Sequence, residues 1–214
     1  RNNGGWPKNY DMKAVLTPEQ KQKVIETKAD THTTFDNSTT YTHIAYLAKV
    51  YSITKEKRFK KGVEKGIRFC MNAQYNNGGW PQYFPLEKGY SRHITFNDRA
   101  YMGVLKMMRD IADNKPEYAF LSKKIKLKAE KSYQQGLNCL LKCQITDNGE
   151  LTVWCQQHDE VTLQPTWARA FEPPSICNGE SAEIVLYLMS IENPDEQIIC
   201  AVKAAVQWYE QSKI

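Results

Sequence analysis

The chain has 214 residues, of which 41% are hydrophobic and 25% are charged, and this composition is typical of one globular domain rather than a disordered or fibrous chain. No run of about 18 apolar residues occurs, so the sequence predicts no membrane-spanning helix and no membrane partner. The formal net charge of +5 suits an anionic ligand, but the lysine runs lack interleaved aromatic residues, which argues against nucleic-acid binding.

A seven-residue motif occurs twice, as NNGGWPK over residues 2–8 and as NNGGWPQ over residues 76–82. Asn-Gly and Gly-Gly steps favour turns with positive φ, and the residue before a proline favours an extended backbone. A weaker echo occurs over residues 147–154, where Asp-Asn-Gly-Glu precedes Val-Trp. The sequence therefore predicts Gly-Trp-rich loops that recur about every 70 residues, which is typical of a repeat architecture.

Helical patterns fill most of the chain between these loops. Thr17, Pro18 and Gln20 provide an N-cap, a favoured first helical residue and a capping box, so they predict a helix start. Asn193 and Pro194 predict a cap and first turn ahead of the last helix. Apolar residues recur with the helical period in six segments: residues 38–52, 55–72, 98–112, 117–142, 180–191 and 195–211.

The order is loop, inner helix and outer helix, three times over. The predicted inner helices are residues 38–52, 98–112 and 180–191, and the first two outer helices are lysine-rich, which is typical of a solvent-facing surface. Alternating apolar and polar residues predict short strands within residues 150–168. We therefore predict an all-α fold, an α/α toroid of three helical hairpins with Gly-Trp-rich loops and minor short strands, as one domain over residues 1–214.

Two polar turns, residues 33–40 and residues 95–100, each place an acidic residue ahead of an inner helix. The structural interpretation is that Asp36 and Asp98 are helix N-cap or first-turn carboxylates. The alternative is that the repeated turns bring the two acids together, where like charges are unfavourable unless a cation or a shared proton separates them. Calcium is a suitable cation because it binds carboxylate oxygens and leaves room for the oxygens of a ligand.

The segment Trp167–Ser175 precedes the third inner helix, so we expect it at the same end of the toroid as the acidic turns. Arg169 lies there among aromatic and proline residues, and we expect its side chain to be half-buried. One interpretation is a structural ion pair with Glu172 or with a helix end. Arginine almost never loses its proton, so a role as a base requires a strongly activated C–H bond.

Two further sets of residues are candidates for the cleft. The tryptophans of the repeated loops, Trp6 and Trp80, are able to stack on sugar rings, although packing of each loop against a helix is the favoured interpretation. His32 and His93 occupy similar positions upstream of the two acidic turns, and they line the cleft unless they are solvent-facing or capping residues. The four histidines show no zinc-type spacing.

Six cysteines are present, and none forms a CxxC pair. Cys139 and Cys143 lie about one helical turn apart, an arrangement that rarely forms a disulfide. We interpret most of the six as small apolar residues of a helical core, and one or two disulfides stay open. Cysteine usage therefore does not settle the cellular compartment.

Three motifs occur in a specific order along the chain: residues 76–82 (NNGGWPQ), residues 94–98 (ITFND) and residues 169–175 (RAFEPPS), followed by Glu180 and Ser181. Together they resemble the family-ten pectate lyases over essentially the whole chain. The resemblance implies an α/α toroid and calcium-dependent cleavage of polygalacturonate, an acidic polysaccharide, by β-elimination. It also implies that Asp36 and Asp98 bind Ca2+, that Asn37 contacts substrate and that Arg169 removes the C5 proton.

The implied chemistry is consistent with these residue types. The C5 proton lies α to a carboxylate, and calcium would act as a Lewis acid that withdraws charge from that carboxylate. Arg169, held near the carbon, would take the proton while its charge stabilises the developing anion. Three further residues complete the predicted substrate-binding set: Trp80, His93 and Trp167.

We further expect a monomer that is secreted or periplasmic and acts in pectin degradation. Members of the family usually continue beyond the point where this chain stops, and the chain starts inside a Gly-Gly-Trp-Pro motif, so we expect a domain truncated at both ends. Two alternatives stay open. One is an inverting glycoside hydrolase on a similar toroid, with Asp36 and Asp98 as acid and base, which assigns no role to Arg169. The other is a non-catalytic domain that binds acidic glycans.

Overall fold

The computed structural model describes residues 1–213 as an array of helices joined by loops. Seven α-helices lie within those residues: α1 Pro18–Glu26, α2 Tyr41–Thr54, α3 Lys57–Ala73, α4 Ala100–Ala112, α5 Lys123–Lys142, α6 Asn178–Met189 and α7 Glu196–Gln211. Four short strands accompany them: β1 Ile94–Thr95, β2 Thr146–Asp147, β3 Glu150–Leu151 and β4 Gln157–His158. None of the described helices is both long and apolar enough to cross a membrane.

The helices α2 to α7 form three hairpins, in which α2 packs on α3, α4 on α5 and α6 on α7. Nine of the 13 residues of α4 are buried, so this helix lies at the centre of the core. α1 contributes no buried residue, because its sequence lacks an apolar stripe wide enough to pack. The predicted all-α architecture of three hairpins is confirmed.

Helix starts follow the capping residues of the sequence. The Thr17 hydroxyl accepts from the Gln20 N–H and the Gln20 side chain accepts from the Thr17 N–H, so the predicted capping box is confirmed. The predicted start of α5 is too early, because the helix begins only after Ser122, whose hydroxyl caps it. For α7 the cap is Asp195 rather than the predicted Asn193, because its carboxylate accepts the orphan N–H of the first turn at 2.9 Å.

The tryptophans of the second and third loops are packing residues. Trp80 has no exposed surface, its indole N–H donates to the Cys70 carbonyl oxygen at 2.9 Å, and its ring meets Tyr101 edge-on at 5.2 Å. Trp154 is equally buried, and its N–H donates to the Leu140 carbonyl oxygen at 2.8 Å. Each tryptophan therefore fastens its loop to the preceding outer helix. The predicted substrate contact of Trp80 is wrong, because no atom of the side chain is accessible to a ligand.

A two-stranded sheet brings the second acidic turn beside the third repeat. β1 pairs antiparallel with β4, with Ile94 opposite His158. Directly after β1, the Phe96 N–H donates to the Gln156 carbonyl oxygen at 2.9 Å. The turn that contains Asp98 consequently lies against the chain that leads into the loop of the third repeat.

The short strands predicted within residues 150–168 are confirmed in part. β2 and β3 form an antiparallel hairpin, and β3 and β4 fall within the predicted segment. Val153 lies between these strands and is buried, while Val161 and Leu163 lie in the loop after β4. The alternating apolar and polar residues form no strand there, because Leu163 adopts a left-handed backbone with φ 63°, which ends an extended segment.

Candidate active site

The two acidic turns have closely similar backbones. In both, two successive residues adopt the left-handed region: Asn37 and Ser38 at φ 49° and 58°, and Asp98 and Arg99 at φ 50° and 61°. Non-glycine residues rarely occupy this region, and such strain is concentrated at functional sites. The match places Asp98 opposite Asn37 rather than opposite Asp36, so the two acids stand at successive positions of equivalent turns.

Neither acid caps an inner helix, so the interpretation of both as N-cap or first-turn carboxylates is wrong. The N-cap positions of α2 and α4 are Thr40 and Arg99, and the first turns of these helices contain no acidic residue. Asp36 instead closes its own turn, because its Oδ1 accepts from the Asn37 N–H at 2.9 Å. Helix capping therefore does not account for the two carboxylates, and their interpretation as functional residues stays a prediction.

Asp36 and Asp98 are neighbours in unlike environments. Asp36 is completely buried, whereas Asp98 is exposed. Desolvation raises the pKa of Asp98 above its ordinary value, and both a hydrogen bond with Asp36 and the charge of Asp36 raise it further. Because like charges repel, two carboxylates in this contact favour either a shared proton or a bound cation.

Lys8 is a third member of the site that sequence reasoning missed. Its Nζ lies 2.5 Å from Asp36 Oδ2, an oxygen that otherwise has no hydrogen-bond partner among the described residues. The hydrogen bond with Asp36 raises the pKa of Lys8, so the ammonium stays charged. A signal was present in the repeat, since the two NNGGWP motifs differ only at their last position, Lys8 in one and Gln82 in the other.

Arg169 lies on an exposed loop and pairs with Glu172. Its backbone N–H and its Nε donate to Glu172 Oε2 at 3.0 and 2.8 Å, and its Nη2 donates to Oε1. The guanidinium also lies 4.8 Å from the centre of the Phe171 ring. Hydrogen bonding to Glu172 raises the pKa of Arg169, and the charge of Asp98 acts in the same direction. The expected ion pair is confirmed, and the Arg169 side chain is about half exposed, at 52%.

The other predicted substrate residues differ in how much surface they offer. Trp167 is 54% exposed and lies two residues before Arg169. Asn37 is exposed next to Asp36, and its amide donates to Asn9 Oδ1 at 3.0 Å. The ring of His93 is half-buried and engaged by a carboxylate. Trp167 and Asn37 are therefore accessible to a ligand, and their contacts with substrate stay predictions.

A second set of metal-ligand side chains, His93, Asp159 and Glu160, offers ligand atoms within 4.8 Å of one another. Both oxygens of Glu160 and Oδ1 of Asp159 already have partners. Glu160 lies 2.7 Å from the His93 ring and 2.5 Å from Arg92 Nε, and Asp159 accepts from the backbone and hydroxyl of Thr162 at 2.7 and 3.0 Å. Both oxygens of Glu160 are engaged, whereas Asp36 Oδ2 has Lys8 as its single partner, so Asp36 and Asp98 form the better candidate for a cation site.

Comparison with known proteins identifies the family. The sequence profile of the family described as Pectic acid lyase matches residues 1–214. The chain belongs to the pectic acid lyase family. Two solved structures resemble this member of the family: a family 10 polysaccharide lyase from Cellvibrio cellulosa, and a mutant of such a lyase from the same organism in complex with trigalacturonic acid. No curated protein matches the chain.

Both solved structures are 33% identical to this pectic acid lyase family member and superpose on it with a TM-score of 0.88. The match covers 98% of this chain but 63% of the chain of each lyase. The resemblance to the family-ten lyases is therefore confirmed, and with it the α/α toroid. The chain spans 63% of the length of these two relatives.

Proposed function

We propose that this chain carries a pectate lyase site that cleaves polygalacturonate by calcium-assisted β-elimination. The observation that carries the proposal is that the charge of Asp36 acts on Asp98, and the charge of Asp98 acts on Arg169, so the three groups belong to one site. Membership of the pectic acid lyase family supports it, as does the trigalacturonic acid bound to a relative of 33% identity. The substrate and the roles of the residues are part of the proposal.

The residues fit a calcium ion. One oxygen of the buried Asp36 carboxylate has the Lys8 ammonium as its only partner among the described residues. In the absence of a metal ion, this ammonium supplies the positive charge. Desolvation and the charge of Asp36 raise the pKa of Asp98, so a cation between the two carboxylates would be favourable. Calcium prefers carboxylate oxygens and keeps further positions for the oxygens of a ligand. When bound, it would act as a Lewis acid on the carboxylate of a galacturonate unit.

The chain's own residues perform the remaining tasks in this proposal. Asp36 and Asp98 hold the cation, and Asn37 and Trp167 position the sugar. The Lys8 ammonium can turn from Asp36 to the substrate carboxylate, because the side chain is 39% exposed. The proposal thus keeps the acids as ligands and gives them no proton to transfer.

Proton removal is assigned to Arg169. The C5–H bond breaks with transfer of the proton to the guanidine, the electron pair forms the C4–C5 double bond, and the C4–O bond breaks towards the leaving sugar. Glu172 opposes this step in the free protein, because it raises the pKa of Arg169 and makes the neutral guanidine scarce. The proposal therefore requires that Arg169 exchange Glu172 for the substrate before it acts.

A single assay tests the reaction type. Incubation of the chain with polygalacturonate and calcium is expected to raise ultraviolet absorbance, because elimination leaves a conjugated double bond at the new non-reducing end. A chelator should abolish the rise, and excess calcium should restore it. Folded protein that gives no absorbance change would count against the lyase, and binding of galacturonate oligomers by calorimetry would then support a non-catalytic glycan-binding domain.

The same assay separates the lyase from a glycoside hydrolase, which releases reducing ends without absorbance and without calcium. An inverting hydrolase needs about 6.5–9.5 Å between its two carboxylates to leave room for a water. It is disfavoured because it assigns no role to Arg169, whose pKa responds to the charge of Asp98.

Replacement of Lys8 tests the cation site without any substrate. Lys8→Met is expected to lower the stability of the calcium-free protein by about 1–2 kcal/mol, or about 2–8 °C in Tm, because the buried Asp36 carboxylate loses its partner. The effect stays below that of a fully buried pair because Lys8 is partly exposed. Saturating calcium should recover most of the loss in a thermal melt. Lys13→Met, at an exposed lysine of the same loop, is the matched control. Equal melting of Lys8→Met and wild type in chelator would contradict the ion pair.

A further inference from the structure

Two cysteines from different segments meet at the base of the Arg169 loop. Cys155 follows the buried Trp154, and Cys177 directly precedes α6. The Cys177 N–H donates to the Trp154 carbonyl oxygen at 2.9 Å, so the two backbones are in direct contact at this point. Chains joined by such a bond lie about 5 Å apart, within the about 4.4–6.8 Å between Cα atoms that a disulfide spans.

The two sulfur atoms share a neighbour. The Ser175 N–H donates to Cys155 Sγ at 3.5 Å, and the Ser175 hydroxyl oxygen lies 3.6 Å from Cys177 Sγ. The Cys177 thiol also lies 3.6 Å from Gln156 Oε1, next to Cys155 in the chain. Both sulfurs are therefore directed into one small space between the two segments.

The pair has unequal acidity and unequal access. A hydrogen bond with Cys177 is the main cause that lowers the pKa of Cys155 to about 6, and the same contact raises the pKa of Cys177. Cys155 is buried, whereas Cys177 is partly exposed. A reagent in solution therefore meets Cys177 first, and the Cys155 thiol lies behind it.

The other cysteines do not share this combination. Cys139 lies in the last turn of α5 and Cys143 caps that helix, and both are buried, so an oxidant has no path to them. Cys200 is exposed on α7, and Cys70 is buried in α3. Cys155 and Cys177 combine one accessible thiol, a second thiol close to it and a long separation along the chain.

We propose that Cys155 and Cys177 are a disulfide-forming pair that closes the segment carrying Arg169 and Trp167 at its base. A small-molecule disulfide is the oxidant. Cys177 loses its proton to water and attacks one sulfur of the reagent, which expels one thiolate and leaves a mixed disulfide. The Cys155 thiolate then attacks the Cys177 sulfur and expels the second thiolate, so two electrons pass from the cysteines to the reagent. The inference does not depend on the lyase activity.

Peptide mapping tests the bond directly. The chain is oxidised with oxidised glutathione, its free thiols are alkylated, and it is cut with trypsin and a glutamate-specific protease. The glutamate and basic residues of the sequence place Cys155 alone in residues 151–160 and Cys177 alone in residues 170–180. We expect these two peptides as one species, which reductant separates. Alkylated Cys155 and Cys177, a lasting glutathione adduct on Cys177, or a bond from either to another cysteine would overturn the proposal.

Thermal melts provide a second readout. Closing a segment of this length is expected to raise Tm by about 5–10 °C relative to the reduced protein. Cys177→Ser should abolish the difference between oxidised and reduced samples, while Cys200→Ser, at an exposed cysteine of α7, should retain it. Retention of the full redox-dependent shift in Cys177→Ser would assign it to other cysteines and overturn the proposal.

Discussion

Arg169→Ala is expected to lower kcat on polygalacturonate by about 10³-fold or more, because it removes both the proposed proton acceptor and a charge beside the developing anion. The stabilisation of the protein by calcium should stay unchanged, since Arg169 touches neither acid and pairs with Glu172. The measurements are initial rates by ultraviolet absorbance and thermal melts with and without calcium. A variant that keeps more than a tenth of wild-type kcat would remove Arg169 from the chemical step.

Glu172→Gln is the companion variant, because it leaves the arginine in place and changes its protonation. The Glu172 carboxylate raises the pKa of Arg169, so its removal lowers that pKa and increases the neutral fraction at any given pH. If the neutral guanidine is the base, the rising limb of the pH–rate profile moves to lower pH. An unmoved limb with a higher KM would instead show that Glu172 only holds the loop and that another group takes the proton.

Asp36→Asn is expected to weaken calcium binding by about 100-fold or more and to abolish the calcium-dependent rate, because it removes the buried charge of the cation site. The buried carboxylate and amide have nearly the same shape, so the fold should persist, and Lys8 is exposed enough to be solvated. Calcium titration by calorimetry and the absorbance assay measure the two effects.

The control for Asp36→Asn is Glu160→Gln, which changes the second cluster of metal-ligand side chains. Glu160 pairs with His93 and Arg92, so its replacement should leave calcium affinity and rate near wild-type values. The reverse outcome, with calcium binding lost in Glu160→Gln and kept in Asp36→Asn, would transfer the cation to the His93 cluster and refute the proposed site.

The candidate site was partly accessible from sequence because its parts recur. Two similar turns precede two inner helices, and a toroid brings such turns to one end, so Asp36 and Asp98 were expected to be neighbours. Lys8 was missed, since its only mark is the difference from Gln82 at the end of the repeat, and that difference does not identify a carboxylate 28 residues later as its partner. The pair of Cys155 and Cys177 was equally hidden, because a backbone contact between distant segments creates it.

Local chemistry in the sequence by itself determined the helices and their order. Thr17, Ser122 and Asp195 cap helices through side-chain hydrogen bonds over three residues, and apolar spacing sets the face that packs. Only the tertiary structure decided what each side chain does. Trp80 packs instead of meeting a sugar, and the acidic turns bend through left-handed residues instead of capping helices. The physical reason is that burial and charge pairing depend on contacts between residues far apart in the chain, which no local pattern encodes.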